Sequence, residues 1–128
     1  MKKYLLFLII VSACACKKTV VSPGLFGKWE LRRVSGGDFA YQDSVFKPGN
    51  GNIYQFNNDS TYKVYTNHIL TLQGTFHIRK NTNSTIATID ILILDNTAES
   101  YPIGIDGTSM TLVTMGGWLQ DNYQKISD

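Results

Sequence analysis

Cysteine is almost absent from this chain of 128 residues, because Cys14 and Cys16, its two cysteines, both lie near the N-terminus. Everything after position 16 therefore has to fold without a disulfide bond. His68 and His77 are the two histidines. A zinc site needs three or four convergent ligands, and no Gly-x-Ser-x-Gly sequence or reactive cysteine accompanies either histidine. We therefore expect no metal, no cofactor and no catalytic residues, so the chain is not expected to be an enzyme.

Net charge is also lacking once the N-terminal segment is set aside. Loss of residues 1–13 removes Lys2 and Lys3, so the twelve Lys and Arg residues fall to ten, against ten Asp and Glu residues. A mature chain that is near neutral has no basic face for nucleic acid and no acidic tail. Nucleic acid is therefore not an expected partner.

Long hydrophobic runs are missing as well, and the apolar run at the N-terminus is short. Lys2 and Lys3 precede an apolar stretch at residues 4–11, which is followed by small residues and Cys14. This order is that of a secretory signal, and the stretch is far below the roughly 18 residues that span a bilayer as a helix. We interpret residues 1–13 as a signal peptide.

The sequence Val11-Ser12-Ala13-Cys14 resembles the bacterial lipobox, in which an apolar residue and two small residues precede a lipid-modified cysteine. The resemblance implies diacylglyceryl transfer to the Cys14 sulfur, cleavage before it and acylation of the new amino group with a chain such as palmitate. Several acyl chains would hold the protein firmly to a membrane. Cys16 is the alternative lipidation site, and a plain secretory signal with two incidental cysteines is the other interpretation.

Residues 14–24 then form a lipidated tether between the membrane and the domain. Lys17 and Lys18 follow the cysteines where surface-export tethers of some bacteria carry acidic residues. This favours a periplasm-facing position at the outer membrane of the bacterial cell envelope.

The domain at residues 25–128 alternates polar and apolar residues with a period of two, and it shows no convincing helical period. The predicted strands are residues 25–34, 52–57, 61–66, 69–79, 85–94, 99–105, 109–115 and 118–126. Gly74 is expected at a bulge or bend. Short connections force antiparallel neighbours, so the pattern predicts an all-β, about eight-stranded antiparallel up-and-down barrel. An immunoglobulin-type sandwich is the alternative, and it needs longer Greek-key connections.

At the start of the first strand, Gly27-Lys28-Trp29 matches the Gly-x-Trp motif of lipocalins. Residues 56–62 resemble a hairpin common in the small lipocalin-like lipoproteins of bacteria. The resemblance covers about residues 25–126 and implies a lipocalin-like barrel with the Trp29 indole packed across its closed end. The chain departs from the family on the final strand, where Lys125 stands in for the usual arginine and lacks its planar guanidinium.

Aromatic side chains supply the candidate ligand-binding residues, which are Trp29, Tyr54, Phe56, Tyr62, Phe76 and Trp118, together with Val64. The same rings can equally fill the interior of a short barrel, and Trp29 is the residue for which an anchoring role in the core is favoured. Asp90 lies in an apolar strand. We expect it to face solvent while Ala87, Ile89, Ile91 and Ile93 face the core; the alternative is an inward carboxylate paired with Arg79 or Lys63.

These features together predict a membrane-anchored, lipocalin-like lipoprotein that binds a small hydrophobic ligand in a barrel cavity without catalysis. The alternative is a filled barrel that serves as a protein-interaction or envelope-structural module, with an exposed apolar patch in place of a cavity. Neither the identity of the ligand nor the oligomeric state follows from the sequence.

Overall fold

The computed structural model describes residues 23–37, 43–81, 89–114, 116 and 118–128. The strands of this part of the chain are β1 (Gly27–Gly36), β2 (Ser44–Val45), β3 (Ile53–Phe56), β4 (Thr61–Thr66), β5 (Ile69–Asn81), β6 (Ile89–Leu94), β7 (Glu99–Asp106), β8 (Ser109–Thr114) and β9 (Leu119–Ser127). A 3-10 turn at Pro23–Leu25 precedes β1. None of the described helical segments has the length and hydropathy to cross a membrane. The predicted signal peptide and most of the predicted tether, with Cys14 and Cys16, lie outside the described residues.

The strands form one antiparallel sheet that closes on itself. Consecutive strands from β3 to β9 are neighbours, and β1 pairs with β3 along one edge and with β9 along the other. The two-residue strand β2 pairs with Arg33 and Val34 of β1. It lies on the same edge of β1 as β3, which pairs only with the first four residues of that strand. Eight strands therefore make the barrel, and the predicted all-β, eight-stranded antiparallel up-and-down architecture is confirmed.

Strand boundaries differ from the sequence prediction mainly at the first strand. It begins at Gly27 instead of residue 25, because Leu25 belongs to the preceding turn and its side chain is buried. Strand β2 lies inside a stretch that was expected to be a loop. Residues 85–88, predicted as the start of a strand, fall outside the described residues, and the described part of that strand is Ile89–Leu94.

The two ends of the barrel carry different turns and connections. We call the base the end that holds the 3-10 turn, the β3–β4 turn and the C-terminal end of β9, and the mouth the opposite end. The connection from β1 to β3, the β4–β5 turn and the β6–β7 turn lie toward the mouth. Pro23, which follows residues 1–22 in the sequence, therefore lies at the base.

The core occupies the interior of the barrel and is most tightly packed toward the base. Its buried residues are Leu25, Trp29, Phe56, Tyr62, Phe76, Ile78, Leu92, Leu94, Ile103, Met110, Leu112 and Tyr123. Trp29 is completely buried, and its indole N–H donates a hydrogen bond of 2.7 Å to the carbonyl oxygen of Leu25. The Lys125 ammonium lies 5.6 Å from the centre of the Trp29 ring, so a cation-π contact covers the indole from the last strand.

Asp90 faces the interior, so the expectation that it faces solvent was wrong. Its strand neighbours on the same face, Leu92 and Leu94, are fully buried, whereas Ile89 on the opposite face is 43% exposed. Both faces of this strand are apolar, and the choice between them is made by the pairing of Leu92 with Ile78 and not by hydropathy. At the base Asp90 lines a small cavity of about 100 Å³. Among the described residues, neither Arg79 nor Lys63 forms an ion pair with it.

The register is unbroken at Gly74, where a bulge or bend was expected. The irregularity in this pair of strands lies nearer the mouth, where Val64 pairs with Leu72 and Tyr65 with Leu70, so that Thr71 is the extra residue on β5. A Cβ atom at position 74 would meet the Asn96 side chain at 2.8 Å. Glycine at this position leaves room for the Asn96 side chain of the β6–β7 turn.

Gly27 is a position where the barrel closure requires glycine, and this can be tested. Its φ is +119°, and a Cβ atom would lie 2.3 Å from the carbonyl oxygen of Ser127 on β9. We expect Gly27→Ala to lower the free energy of unfolding by about 2 kcal/mol or more, because backbone strain and a clash with backbone act together. Urea denaturation followed by circular dichroism measures the change.

Gly104→Ala is the matched control, because Gly104 also lies in a strand and a Cβ atom there meets nothing within 4 Å. Its unfolding free energy should stay within about 0.5 kcal/mol of the wild type. Equal effects of the two substitutions would contradict the assignment of Gly27 to the closure.

Candidate functional site

Four tyrosines point into the barrel from four different strands. Tyr54, Tyr62, Tyr101 and Tyr123 lie on β3, β4, β7 and β9. Cross-strand partners share one face of a sheet, and the partners of Tyr101 and Tyr123 include the buried Leu92 and Met110. The inward positions above the tightly packed base are therefore rich in phenol groups.

The aromatic rings form a continuous series from the packed core toward the mouth. Phe76 meets Phe56 edge to face at a centroid distance of 5.0 Å, and Phe56 stacks on Tyr54 at 5.6 Å. Tyr54 in turn meets Tyr123 edge to face at 5.5 Å, with an interplanar angle of 85°. Contacts of this kind fix ring orientation, so Tyr54 and Tyr123 are held by the core beneath them.

The four hydroxyls differ in their hydrogen bonding. Tyr62 donates to the Asn96 side chain and Tyr101 donates to the Glu99 carboxylate. No described residue forms a hydrogen bond with the hydroxyl of Tyr54 or Tyr123. No fully buried side-chain nitrogen or oxygen in the described part of the chain lacks a partner. Both free hydroxyls therefore border open space, although Tyr123 as a whole is only 8% exposed.

A cavity of about 240 Å³ lies beside these two tyrosines, where β3 begins and β4 ends. Its lining residues are Leu31, Asn52, Ile53, Tyr54, Val64, Tyr65, Thr66 and Tyr123. Most of these side chains are apolar or aromatic, which is the usual composition of a site for a small organic molecule. The cavity has the volume of a small ligand and not of a long lipid.

Asp121 places a carboxylate on the same inward face, two residues before Tyr123. Its cross-strand partner Leu112 is buried, and the Asp121 side chain is itself half-buried. Burial raises the pKa of the Asp121 carboxyl above its ordinary value. None of the described residues forms an ion pair or a hydrogen bond with this carboxylate. Asp121 is therefore a partly desolvated anion without a partner in the described structure.

The pKa values of Tyr54 and Tyr123 are raised by burial and by the nearby Asp121 carboxylate. Burial, and then the negative charge of Asp121, raise the pKa of Tyr54 to about 12. Burial also raises the pKa of Tyr123, with Tyr54 and Asp121 adding to the effect. The phenols therefore stay protonated across the physiological range and can donate hydrogen bonds.

A second buried carboxylate, that of Glu30, has a different environment. Glu30 is 3% exposed and points outward from β1, where the segment from Lys47 to Gly51 covers it. The backbone N–H groups of Gly49 and Gly51 donate to its two oxygens at 3.0 and 3.1 Å, and Arg32 forms an ion pair with it. Burial alone would raise the pKa of Glu30, but the bonds from Arg32 and the two glycines outweigh it and lower the pKa.

The same segment packs on the β4–β5 turn, so it is held from both sides. The backbone N–H of His68 donates to the carbonyl oxygen of Gly51 at 3.0 Å, and the imidazole Nε2 lies 3.2 Å from the carbonyl oxygen of Gly49. A Cβ atom at Gly51, whose φ is +74°, would meet the His68 ring at 2.5 Å. Glu30 therefore holds one wall of the mouth in place and leaves no free group there for a ligand.

The candidate residues from the sequence fall into three groups. Trp29, Phe56, Tyr62 and Phe76 are at most 2% exposed and belong to the packed core. Tyr54 and Val64 line the cavity at the mouth. Trp118 is 65% exposed and follows β8 at the mouth. The lipidation candidates Cys14 and Cys16 lie outside the described residues.

Sequence reasoning did not select Leu31, Tyr123 or Asp121. Tyr123 and Asp121 alternate on the last predicted strand, and this period of two was the available signal. The period alone could not show which face is inward, because that is decided by the pairing of Asp121 and Tyr123 with buried residues of β8.

The histidines are not brought together by the fold. His68 contacts the β2–β3 segment at the mouth, and His77 lies within 2.6 Å of Asp95 on the outer surface. The described residues contain no group of three or more side chains that could hold a metal ion.

Comparison of the chain with models of protein families, with curated proteins and with solved structures gave no match. The function has therefore to be inferred from the barrel and its mouth.

The role of Glu30 gives a pH-dependent prediction. Because its pKa is lowered on folding, its contribution to stability is fully present above the ordinary value of 4.5 and is lost as the pH falls through the folded-state pKa. We expect Glu30→Gln to cost about 2 kcal/mol of unfolding free energy at pH 7, since it weakens the bonds from Arg32, Gly49 and Gly51. The difference from the wild type should shrink below about pH 4.5.

Urea unfolding at several pH values measures this difference. Asp106→Asn is the control, because Asp106 is exposed at the end of β7 and forms no described ion pair. A Glu30→Gln deficit that stays constant from pH 7 to pH 3 would contradict the role given to this carboxylate.

Proposed function

We propose that this chain is a membrane-anchored, lipocalin-like lipoprotein of the bacterial cell envelope that binds a small, largely apolar molecule at the mouth of its barrel and performs no chemistry on it. The observation that carries the proposal is the open cavity of about 240 Å³ at the rim of the barrel, where Leu31, Tyr54, Val64 and Tyr123 are among the lining residues. Burial of apolar ligand surface there would contribute roughly 25 cal/mol per Å².

The lipocalin-like part of the proposal is supported by the base of the barrel. Gly27 and Trp29 open the first strand, a 3-10 turn precedes them, and Lys125 on the last strand covers the indole. This is the place at which the family usually has an arginine. Lys125 thus replaces arginine as the cation that the last strand places over the indole.

The anchor is supported by the sequence at residues 11–14, and the fold indicates how the domain would be oriented if it is anchored there. The chain enters the barrel at the base through Pro23–Leu25, and the cavity lies at the opposite end. A lipid on Cys14 would therefore leave the mouth turned away from the anchoring membrane. A periplasm-facing protein at the outer membrane would take its ligand from the periplasm and not from the leaflet that holds it.

A second candidate function is a protein-interaction module. It is favoured by four exposed apolar side chains that lie toward the mouth, namely Val45, Ile69, Leu70 and Trp118, with exposures of 79%, 69%, 44% and 65%. Exposed apolar groups that gather at one end of a domain are typical of interaction surfaces. The two functions differ in whether a ligand enters the barrel.

Lipidation is tested by expressing the full chain in bacteria with labelled palmitate. We expect label on the wild type and on Cys16→Ala, and none on Cys14→Ala, because the sulfur of Cys14 accepts the first lipid. Label lost only from Cys16→Ala would move the anchor to the alternative cysteine. An unlabelled wild type would refute the anchor.

Ligand binding is tested with N-phenyl-1-naphthylamine, a neutral apolar dye that brightens on leaving water. We expect the chain truncated before residue 23 to bind it, and Val64→Trp to weaken binding at least tenfold because the indole would occupy the cavity. Fluorescence titration measures both affinities.

Val45→Trp is the matched control, since Val45 is 79% exposed on β2 and the same side chain is added outside the barrel. Its affinity for the dye should equal that of the wild type. Equal weakening by both substitutions, or no binding by the wild type, would favour the interaction module.

A further inference from the structure

The inward face at the mouth carries negative charge without a compensating cation. Asp121 and Glu99 both share a face with buried leucines, Leu112 and Leu94. The charges of both carboxylates act on the Tyr54 hydroxyl, so they lie close enough to share its surroundings. A negative interior of this kind disfavours an anionic ligand such as a fatty acid.

No described basic residue forms an ion pair with Asp121. Arg32 and Arg33 pair with Glu30 and Asp43 on the outer surface, and Lys125 pairs with Asp128 at the base. Lys80, which shares the face of Asp90, lies at the base end of β5. The remaining basic residues among those described, Lys28, Lys47, Lys63, His68, His77 and Arg79, form no ion pair with Asp121.

The undescribed residues of the domain supply no cation either. Residues 38–42, 82–88, 115 and 117 include no Lys, Arg or His. Pairing with a cation stabilises a partly buried charge, and no basic residue among those described forms an ion pair with Asp121. This half-buried carboxylate is therefore available to a cation from outside the domain.

The aromatic walls fit the same chemistry. The rings of Tyr54 and Tyr123 meet edge to face beside the cavity. Their hydroxyls form no hydrogen bond with a described residue. Organic cations are attracted to aromatic faces, and the attraction grows when water is excluded. A carboxylate together with fixed tyrosine rings is the combination that recognises a substituted ammonium group.

We propose that the ligand at the mouth is a small organic cation, with an apolar part in the cavity between Leu31 and Val64 and an ammonium group between the Asp121 carboxylate and the rings of Tyr54 and Tyr123. This assignment rests on the proposed function, because it specifies the class of molecule that the cavity holds. It separates the site from one for fatty acids or other anionic lipids.

Three probes of equal chain length test the proposal: octyltrimethylammonium, octan-1-ol and octanoate. The apolar parts are alike, so differences in affinity report the head group. We expect the purified domain to bind the cation about tenfold more tightly than the alcohol and to bind octanoate most weakly. Nuclear magnetic resonance titration or tyrosine fluorescence gives the three dissociation constants.

Asp121→Asn keeps the shape of the side chain and removes its charge. It should lose about tenfold in affinity for the cation and leave the affinity for octan-1-ol unchanged, whereas Asp121→Glu should retain a preference for the cation. Asp106→Asn is the control, because it removes an exposed carboxylate from the β7–β8 turn at the base. Thermal unfolding confirms that each variant is folded.

The outcomes separate the two levels of the proposal. Binding of octan-1-ol with no preference for the cation, or an unchanged preference in Asp121→Asn, would overturn the assignment and leave the binding function standing. Absence of binding by all three probes would overturn the binding function with it.

Discussion

The burial of Trp29 is the interaction on which the rest of the barrel depends. Among the described residues, its indole is the largest fully buried side chain, and it contacts both the carbonyl oxygen of Leu25 and the Lys125 ammonium. These two contacts tie the turn before β1 and the last strand to one ring. A short barrel without disulfides has few other means of keeping its first and last strands in register. The packed base then supports the phenylalanine and tyrosine rings that lead to the mouth.

The two carboxylates of the mouth show how environment decides the use of a residue. Glu30 is more deeply buried, yet its oxygens are satisfied by Arg32 and by two backbone N–H groups, and the pKa is lowered. Asp121 is less buried, forms no bond with a described residue, and its pKa is raised by desolvation. The first carboxylate is a structural element of the wall. The second has no bond with a described residue, which is why we propose it as the group that attracts a cation to the neighbouring cavity.

Much of the fold could be predicted from the sequence, because period-two alternation and short polar turns are local properties. The hairpin of β3 and β4 around residues 57–60 was located in this way. The sequence did not show which face of β6 points into the barrel, because Ile91 and Leu92 are equally apolar. The inward face is determined by the pairing of β6 with β5. Tyr54 and Val64 were selected as cavity candidates because they are apolar alternating residues. Asp121 and Tyr123 were missed because the alternation on β9 does not show which face is inward, and this is decided by their pairing with the buried Leu112 and Met110 of β8.

The pairing of β1 with β9 also governs the order in which the protein can fold. Lys28 lies opposite Ser127, so the closing edge of the first strand waits for nearly the entire domain to emerge before it finds its neighbour. Contacts of such sequence separation are slow to form. Until then β1 is an open edge, and its run of Lys28, Glu30, Arg32 and Arg33 places charges along an edge that would otherwise attract strands of other molecules. The charged first strand thus protects the unfinished chain as well as the finished barrel.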